Sequence, residues 1–274
     1  MSRGRTHIRI YTGDAMEIRI NLDQRILKSL NQGGSTTRLN LSQKLSDLFK
    51  RSFDILGSLL GLTLLLPFFI IIGICIKHDT PGPVYFKGRR SAKGGGTFSM
   101  YKFRTMFEDP ASYQGPLLAA HNDQRITPVG CWLRDTKINE LPQLWNVLKG
   151  DMSLVGPRPC DSDIVATWDE DKRREILSVR PGITSLASVL YRDEDKMLDA
   201  KHDVMSTYRE SIMPSKVRLD QLYVRNRSFW LDLEILIWTL VVVLRQHAST
   251  NESLSVEKLD LLVRDNDTNR SKGS

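Results

Sequence analysis

From Ile55 to Ile76 the chain runs for 22 residues without a charged side chain, ILGSLLGLTLLLPFFIIIGICI. As a helix such a run is long enough to reach across or into the hydrocarbon of a bilayer. Pro67 stands inside it, with 12 residues of the run before it and 9 after. Proline removes a helical hydrogen bond and clashes with the preceding turn, which predicts two half-helices, each too short to span. Lys50 and Arg51 precede the run, and Lys77, Lys87, Arg89 and Arg90 follow it. Cytoplasmic flanks are the basic ones, so two basic flanks favour a re-entrant hairpin with both ends on the cytoplasmic side. A kinked spanning helix is the alternative, because membrane helices tolerate proline. A cleaved signal is not expected: the run starts more than 50 residues in and lacks a small-x-small site.

Outside this run the chain is ordinary. Of its 274 residues 41% are hydrophobic and 26% charged, averages of soluble proteins that exclude a polytopic transporter and a wholly disordered chain. The sequence divides into an N-terminal extension, 1–47, partly disordered; a re-entrant membrane helix, 48–78; a folded domain, 79–248; and a disordered tail, 249–274. Within the extension, His7–Ile10 and Ile18–Ile20 alternate like short strands, and Asn31–Thr37 reads as linker. The tail carries the signal of one short helix around Val256–Val263. Cys75, Cys131 and Cys160 are odd in number and widely spaced, which argues against a disulfide framework or a zinc ribbon.

The formal charge of +7 is concentrated after the apolar run: Lys77 to Arg104 holds seven basic residues and one acid, Asp79. Such a patch beside a membrane suits lipid headgroups or a phosphorylated substrate. Nucleic acid is not expected, because Tyr85, Phe86, Phe98, Tyr101 and Phe103 alternate like strand core rather than a stacking platform. Val84–Phe86 and Phe98–Tyr101 predict a small β-hairpin. The glycines Gly94–Gly96 form its turn, since they lack the GK[ST] ending of a phosphate loop.

Residues 139–150, NELPQLWNVLKG, predict a helix whose Leu141, Leu144, Trp145 and Leu148 share an apolar face. Asn139 is a candidate N-cap and Gly150 the terminator. A helix N-terminus favours anions, which places Asn139, Glu140 and the preceding Arg134 near a candidate phosphate site. Arg158 lies between Pro157 and Pro159, whose restrictions present its guanidinium from a stiff backbone suited to an anion; a purely structural corner is the competing reading. Phe229–Leu244 is too short to span and carries Asp232 and Glu234, so an interfacial or a docked helix is expected, with Trp230 and Trp238 as candidate interface anchors. The fold class is α+β, mainly helical: a membrane helix-hairpin plus a cytoplasmic domain with interfacial helices and a small β-hairpin.

Several of these pieces recur together in one family. Lys50-Arg51-x-x-Asp54, the Pro67-interrupted run, Pro81–Phe86, Tyr101–Met106, Asp123–Gly130, Asn139–Pro159, Arg180–Thr184 and Asp220-x-x-Tyr223-x-x-Asn226 follow one another in order. Over about 48–245 the chain resembles the bacterial sugar transferases, monotopic polyprenyl-phosphate phosphoglycosyl transferases. The resemblance implies transfer of a sugar-1-phosphate from a nucleotide sugar, UDP-linked, to undecaprenyl phosphate, the first membrane step of exopolysaccharide, capsule or O-antigen synthesis. It implies a place at the bacterial inner membrane, with the catalytic domain on the cytoplasmic face and membrane lipid as partner; a second copy of the chain is a candidate partner too. In the family's two-step scheme an aspartate attacks the phosphate bearing the sugar, and the lipid phosphate then displaces it. The scheme implies Mg2+, with Glu140 as its ligand here. Arg134 and Arg158 would hold phosphate oxygens, assisted by Lys102 or Arg104.

The position matching the nucleophile holds Asn139. A carboxamide caps as well as a carboxylate but is a poor nucleophile and a weaker metal ligand. An inactive relative, an enzyme that uses Glu140 or Asp135 instead, and an engineered or deamidated position all remain open. Gly88, Ser185 and Ser188 also depart from the family's usual residues.

Overall fold

The computed structural model describes residues 5–12, 16–23, 41–110, 112, 118–119, 123–192, 194 and 204–244. The linker 31–37 and the tail 249–274 lie outside them. In the extension the alternating pieces form strands β1 (Arg5–Thr12) and β2 (Met16–Asp23), an antiparallel pair with Ile8 opposite Ile20 and Ile10 opposite Ile18.

Helix α1 (Leu41–Asp79) carries the apolar run and is unbroken. This corrects the two half-helices expected at Pro67. The ring can leave only the Thr63 carbonyl without its helical donor, while Thr63 turns its own hydroxyl to Leu59 O at 2.9 Å. One lost bond is outweighed by contacts along the helix's whole length. At its N-terminal end Lys50 Nζ meets Asp232 Oδ2 at 2.5 Å and Val155 O at 3.0 Å. Arg51 donates to Val147 O and Leu148 O at 2.8 and 3.2 Å, and Asp54 accepts from Leu154 N at 3.0 Å. Toward its C-terminal end Phe69, Ile72 and Ile76 form a core with Phe103 and Leu133. The remaining face is apolar and exposed, Leu56, Leu60, Leu64, Phe68 and Ile71 among it.

Strands β3 (Tyr85–Ser91) and β4 (Thr97–Phe103) pair antiparallel, a longer form of the expected hairpin, with Gly94 and Gly95 at positive φ in the connecting 3-10 turn Lys93–Gly95. The aromatics do not all enter the core as expected: Phe103 is buried, but Tyr85 and Phe86 are exposed. After helix α2 (Pro128–Asp135), capped by the Thr127 side chain on Gly130 N, comes a 3-10 turn, Ile138–Glu140, and then α3 (Gln143–Lys149). The single helix expected over 139–150 is thus two pieces, because Pro142 has no N–H to continue the hydrogen-bond ladder between them. Leu141 N returns to Ile138 O and Leu144 N to Leu141 O in the tighter spacing. Lys137, not Asn139, precedes the turn, and Trp145 faces outward rather than into the apolar stripe. Gly150, at φ 97°, ends α3 as expected.

The rest packs behind this unit. Strand β5 (Ser153–Val155) pairs in parallel with β6 (Gly182–Thr184). Short helices α4 (Ser162–Ala166), α5 (Glu170–Ile176), α6 (Leu186–Leu190) and α7 (Val204–Thr207) follow in the chain around and after these strands. A π-helical segment, Tyr208–Ile212, leads into α8 (Met213–Asn226), followed by α9 (Phe229–Leu244). A Cβ on Gly182 would lie 2.1 Å from Gly156 N, so the β5–β6 crossing accepts no side chain there. The three cysteines form no disulfide. Helix α9 docks as expected, with Asp232 buried and Trp230 exposed.

Removing one partner of a buried ion pair strands the other charge. Lys50→Met is therefore expected to cost about 3 kcal/mol by thermal unfolding in detergent, because Asp232 stays buried. The double variant Lys50→Met/Asp232→Leu should recover most of that loss; a double variant no more stable than the single one would contradict the pairing.

Candidate active site

The 3-10 turn after α2 is where the chain's charges converge. To enter it the backbone takes a left-handed conformation at Lys137, φ 58°, ψ 10°, a strained choice for a residue with a Cβ. The next residues put Asn139 and Glu140 against β4. Lys102, from β4, donates from Nζ to Glu140 Oε1 at 2.8 Å. Arg158 reaches the same carboxylate with both arms, Nη1 to Oε2 at 3.0 Å and Nη2 to Oε1.

Each partner is held from behind. Asn146, fully buried in α3, accepts from Tyr101 N at 2.9 Å and donates to Ser99 O at 2.8 Å and Asp151 Oδ2 at 3.1 Å. That amide sets the register of β4 against α3 and so the place of Lys102. The backbone of Arg158 is fixed between two prolines: Pro157 O accepts from Gly182 N at 2.9 Å, and the Asp220 carboxylate accepts the Arg158 N–H. Burial lifts the Asp220 carboxyl to about 7. Lys216 behind it pairs with Glu194 Oε2 at 2.5 Å.

The electrostatics follow from the geometry. Burial alone would raise the Glu140 carboxyl, but the charges and hydrogen bonds of Arg158 and Lys102 overcome it and hold the group well below the usual carboxylate range. Glu140 in turn raises Arg158. Lys102 is pushed down to about 8, first by burial and then by the charge of Arg158, against the pull of Glu140. Two cations against one carboxylate leave the centre with net positive charge, the character of an anion site.

Four residues expected at the site, Asn139, Glu140, Lys102 and Arg158, are thus brought together. Arg134 Nη2 instead donates to Ala119 O at 3.4 Å, and its charge acts on Asp123. Arg104 is buried and committed to three carbonyls, Pro81 O at 2.5 Å, Thr80 O at 2.8 Å and Ile76 O at 3.5 Å. It closes the C-terminal end of α1, a structural task in place of the phosphate contact expected of it. Asp135 is engaged by Cys131 Sγ at 3.8 Å and through its carbonyl by Arg192. Sequence reasoning missed Gln143 and gave Asp220 no role at the site. Gln143 is 1% exposed, with neither amide atom partnered, and Asn139 Oδ1 is likewise buried without a partner. The polar residues at i and i+4 in NELPQ were a usable signal for Gln143.

Among the described residues no group of three His, Cys, Asp or Glu side chains gathers for a metal. Glu140 is already cation-paired through both oxygens, and Asn139 supplies only a neutral oxygen. Mg2+ is held through one or two carboxylates together with substrate oxygens; with both Glu140 oxygens committed to cations and Asn139 neutral, the residues present do not fit it.

This apparatus, a long apolar helix packed on the domain and a cation-rimmed carboxylate on a short turn, belongs to a definable class. Residues 45–246 match the family described as bacterial sugar transferase, and the chain belongs to that family. It is 36% identical over 199 residues to a UDP-N-acetylgalactosamine-undecaprenyl-phosphate N-acetylgalactosaminephosphotransferase of Aeromonas hydrophila, covering 71% of this chain and 43% of that one. It is 36% identical over 221 residues to the undecaprenyl-phosphate galactose phosphotransferase of Salmonella typhimurium, covering 76% and 43%. To the exopolysaccharide production protein PSS of Rhizobium leguminosarum it is 37% identical over 199 residues, covering 70% and 93%. The chain thus spans less than half the length of the first two and nearly all of the third.

Because Lys102 titrates near neutrality, binding of inorganic pyrophosphate should weaken as pH rises through about 8. Loss of one charge-assisted contact corresponds to about tenfold in affinity. Lys102→Arg should flatten that dependence in a calorimetric titration across pH 7 to 10 (roughly the window between shifted and ordinary lysine values).

Proposed function

We propose that this chain handles the transfer of a sugar-1-phosphate from a nucleotide-activated sugar, UDP-linked, to undecaprenyl phosphate at the cytoplasmic face of the bacterial inner membrane, at the start of exopolysaccharide, capsule or O-antigen synthesis. The observation that carries this reading is the Glu140 carboxylate gripped by Lys102 and Arg158 on a turn beside a membrane-length apolar helix. Its relatives' names supply the substrate class: they speak of undecaprenyl phosphate and of UDP-sugars. In the overall reaction the phosphorus bearing the sugar gains a bond to an oxygen of the lipid phosphate and loses its bond to the nucleoside monophosphate. Lys102 and Arg158 would stabilise the charge that gathers on the departing phosphate.

The membrane placement is monotopic in this reading, with the continuous helix held on one side of the bilayer and not folded back as a hairpin. Lys50 and Arg51 at one end and Ile76 at the other all contact the same folded domain. A straight crossing would carry that domain's polar backbone into hydrocarbon, where unpaired groups cost several kcal/mol each (an order of magnitude). The helix therefore lies in one leaflet, with its exposed apolar face to lipid. Between it and α2 opens an apolar cleft of about 390 Å3, lined by Phe68, Ile71, Cys75, Pro128, Val129 and Trp132. It offers the isoprenoid of the acceptor a seat beside the helix that leads to Asn139.

Asn139 favours a second reading, a catalytically impaired member that binds these ligands or scaffolds a polysaccharide assembly. A carboxamide cannot form the covalent phosphoryl intermediate of a carboxylate nucleophile. The test uses full-length protein in detergent with undecaprenyl phosphate and a panel of radiolabelled UDP-sugars, after mass spectrometry has read residue 139. Asn139→Asp should raise formation of lipid-linked product by on the order of a hundredfold or more over the native chain. Native turnover equal to the variant's would sink the impaired reading, and no product from either would sink the transferase reading.

A further inference from the structure

Asn139 changes what the site can hold as well as what it can attack. Where a second carboxylate would stand beside Glu140, the residue is neutral, and Glu140 is already paired with two cations. Each cation retains donor capacity. Lys102 directs one of its three N–H groups at Glu140, and Arg158 two of its five. Asn139 Oδ1 is buried without a protein partner, the kind of group whose hydrogen bonding a water or a ligand completes. A half-turn of the Asn139 carboxamide places an NH2 donor where its oxygen now lies. A carboxylate there could only repel an anion.

We propose that this chain binds the diphosphate of its nucleotide sugar without a divalent metal, Lys102 and Arg158 providing the positive charge and the carboxamide of Asn139, the neighbour of Glu140 on the turn, providing a neutral donor. The inference rests on the donor-site reading above and departs from the metal-dependent scheme that the family resemblance implies. Two carboxylates facing a diphosphate need a bridging cation to relieve their repulsion. One carboxylate neutralised twice over by fixed protein charges does not, since a preorganised Lys–Arg pair already performs that task.

The experiment titrates UDP into the full-length protein in detergent by calorimetry, once with excess EDTA and once with Mg2+. The native dissociation constant should agree within about twofold between the two buffers. Asn139→Asp should weaken binding in EDTA by about tenfold or more, and Mg2+ should restore it. Lys102→Gln should weaken native binding equally in both buffers, and Lys102→Arg, which keeps a cation beside Glu140, should retain it. Mn2+ titrated alone and followed by its paramagnetic resonance should remain in solution with the native chain. Native binding that vanishes in EDTA and returns with Mg2+ would overturn the proposal, as would no UDP binding in either buffer. Those outcomes are separable from the transferase reading, which the lipid-linked product decides: metal-dependent UDP binding with product formed ends this inference and keeps that one.

Discussion

Three side chains within two turns, Lys50, Arg51 and Asp54, fasten an apolar helix to a polar domain, and the remaining architecture is arranged around that seam. They engage backbone and side-chain groups of β5, α3 and α9 at once. A hydrophobic surface alone has no preferred register, so a helix bound only by its leucines could slide or roll. The polar contacts remove that freedom. Because Arg51 closes the carbonyl end of α3 and Asp54 holds the start of the β5 backbone, the membrane helix also sets the frame from which Asn146 orders β4 and Arg158 is projected.

The site inherits its precision from this chain of supports, and its chemistry from an imbalance of charge. Glu140 is too well neutralised to serve as a free base, and its two cations are too close to a carboxylate to be idle. Such a centre is complementary to an incoming anion that can share the cations with Glu140. The carboxamide beside it is buried with its Oδ1 unpartnered, and it alters the charge that a ligand meets.

Much of the site was legible before any coordinates. Pro157–Arg158–Pro159 announced a stiff presentation, and the run after Asn139 announced a compact element ending at Gly150. What sequence reasoning could not see were effects of chain reversal and competition. Arg104 and Lys102 stand two apart on one strand and look interchangeable, yet the end of α1 leaves three carbonyls in reach of the first, and only the second meets Glu140. Pro67 read as a break because local rules count its lost hydrogen bond and not the long-range packing of Phe69, Ile72 and Ile76 that offsets it. The helix over 139–150 failed in the opposite direction: its apolar spacing was sound, but Pro142 divided it locally.

The contact between α1 and the domain bears on how such a molecule comes into being. Phe103 and Leu133, both almost wholly enclosed, lie in different parts of the domain and meet over side chains of α1. The helix leaves the ribosome before either of them and can form as a finished element. The domain that follows would then close its interior against a helix already formed, so the helix acts as a mould for the fold and not merely as an attachment to it.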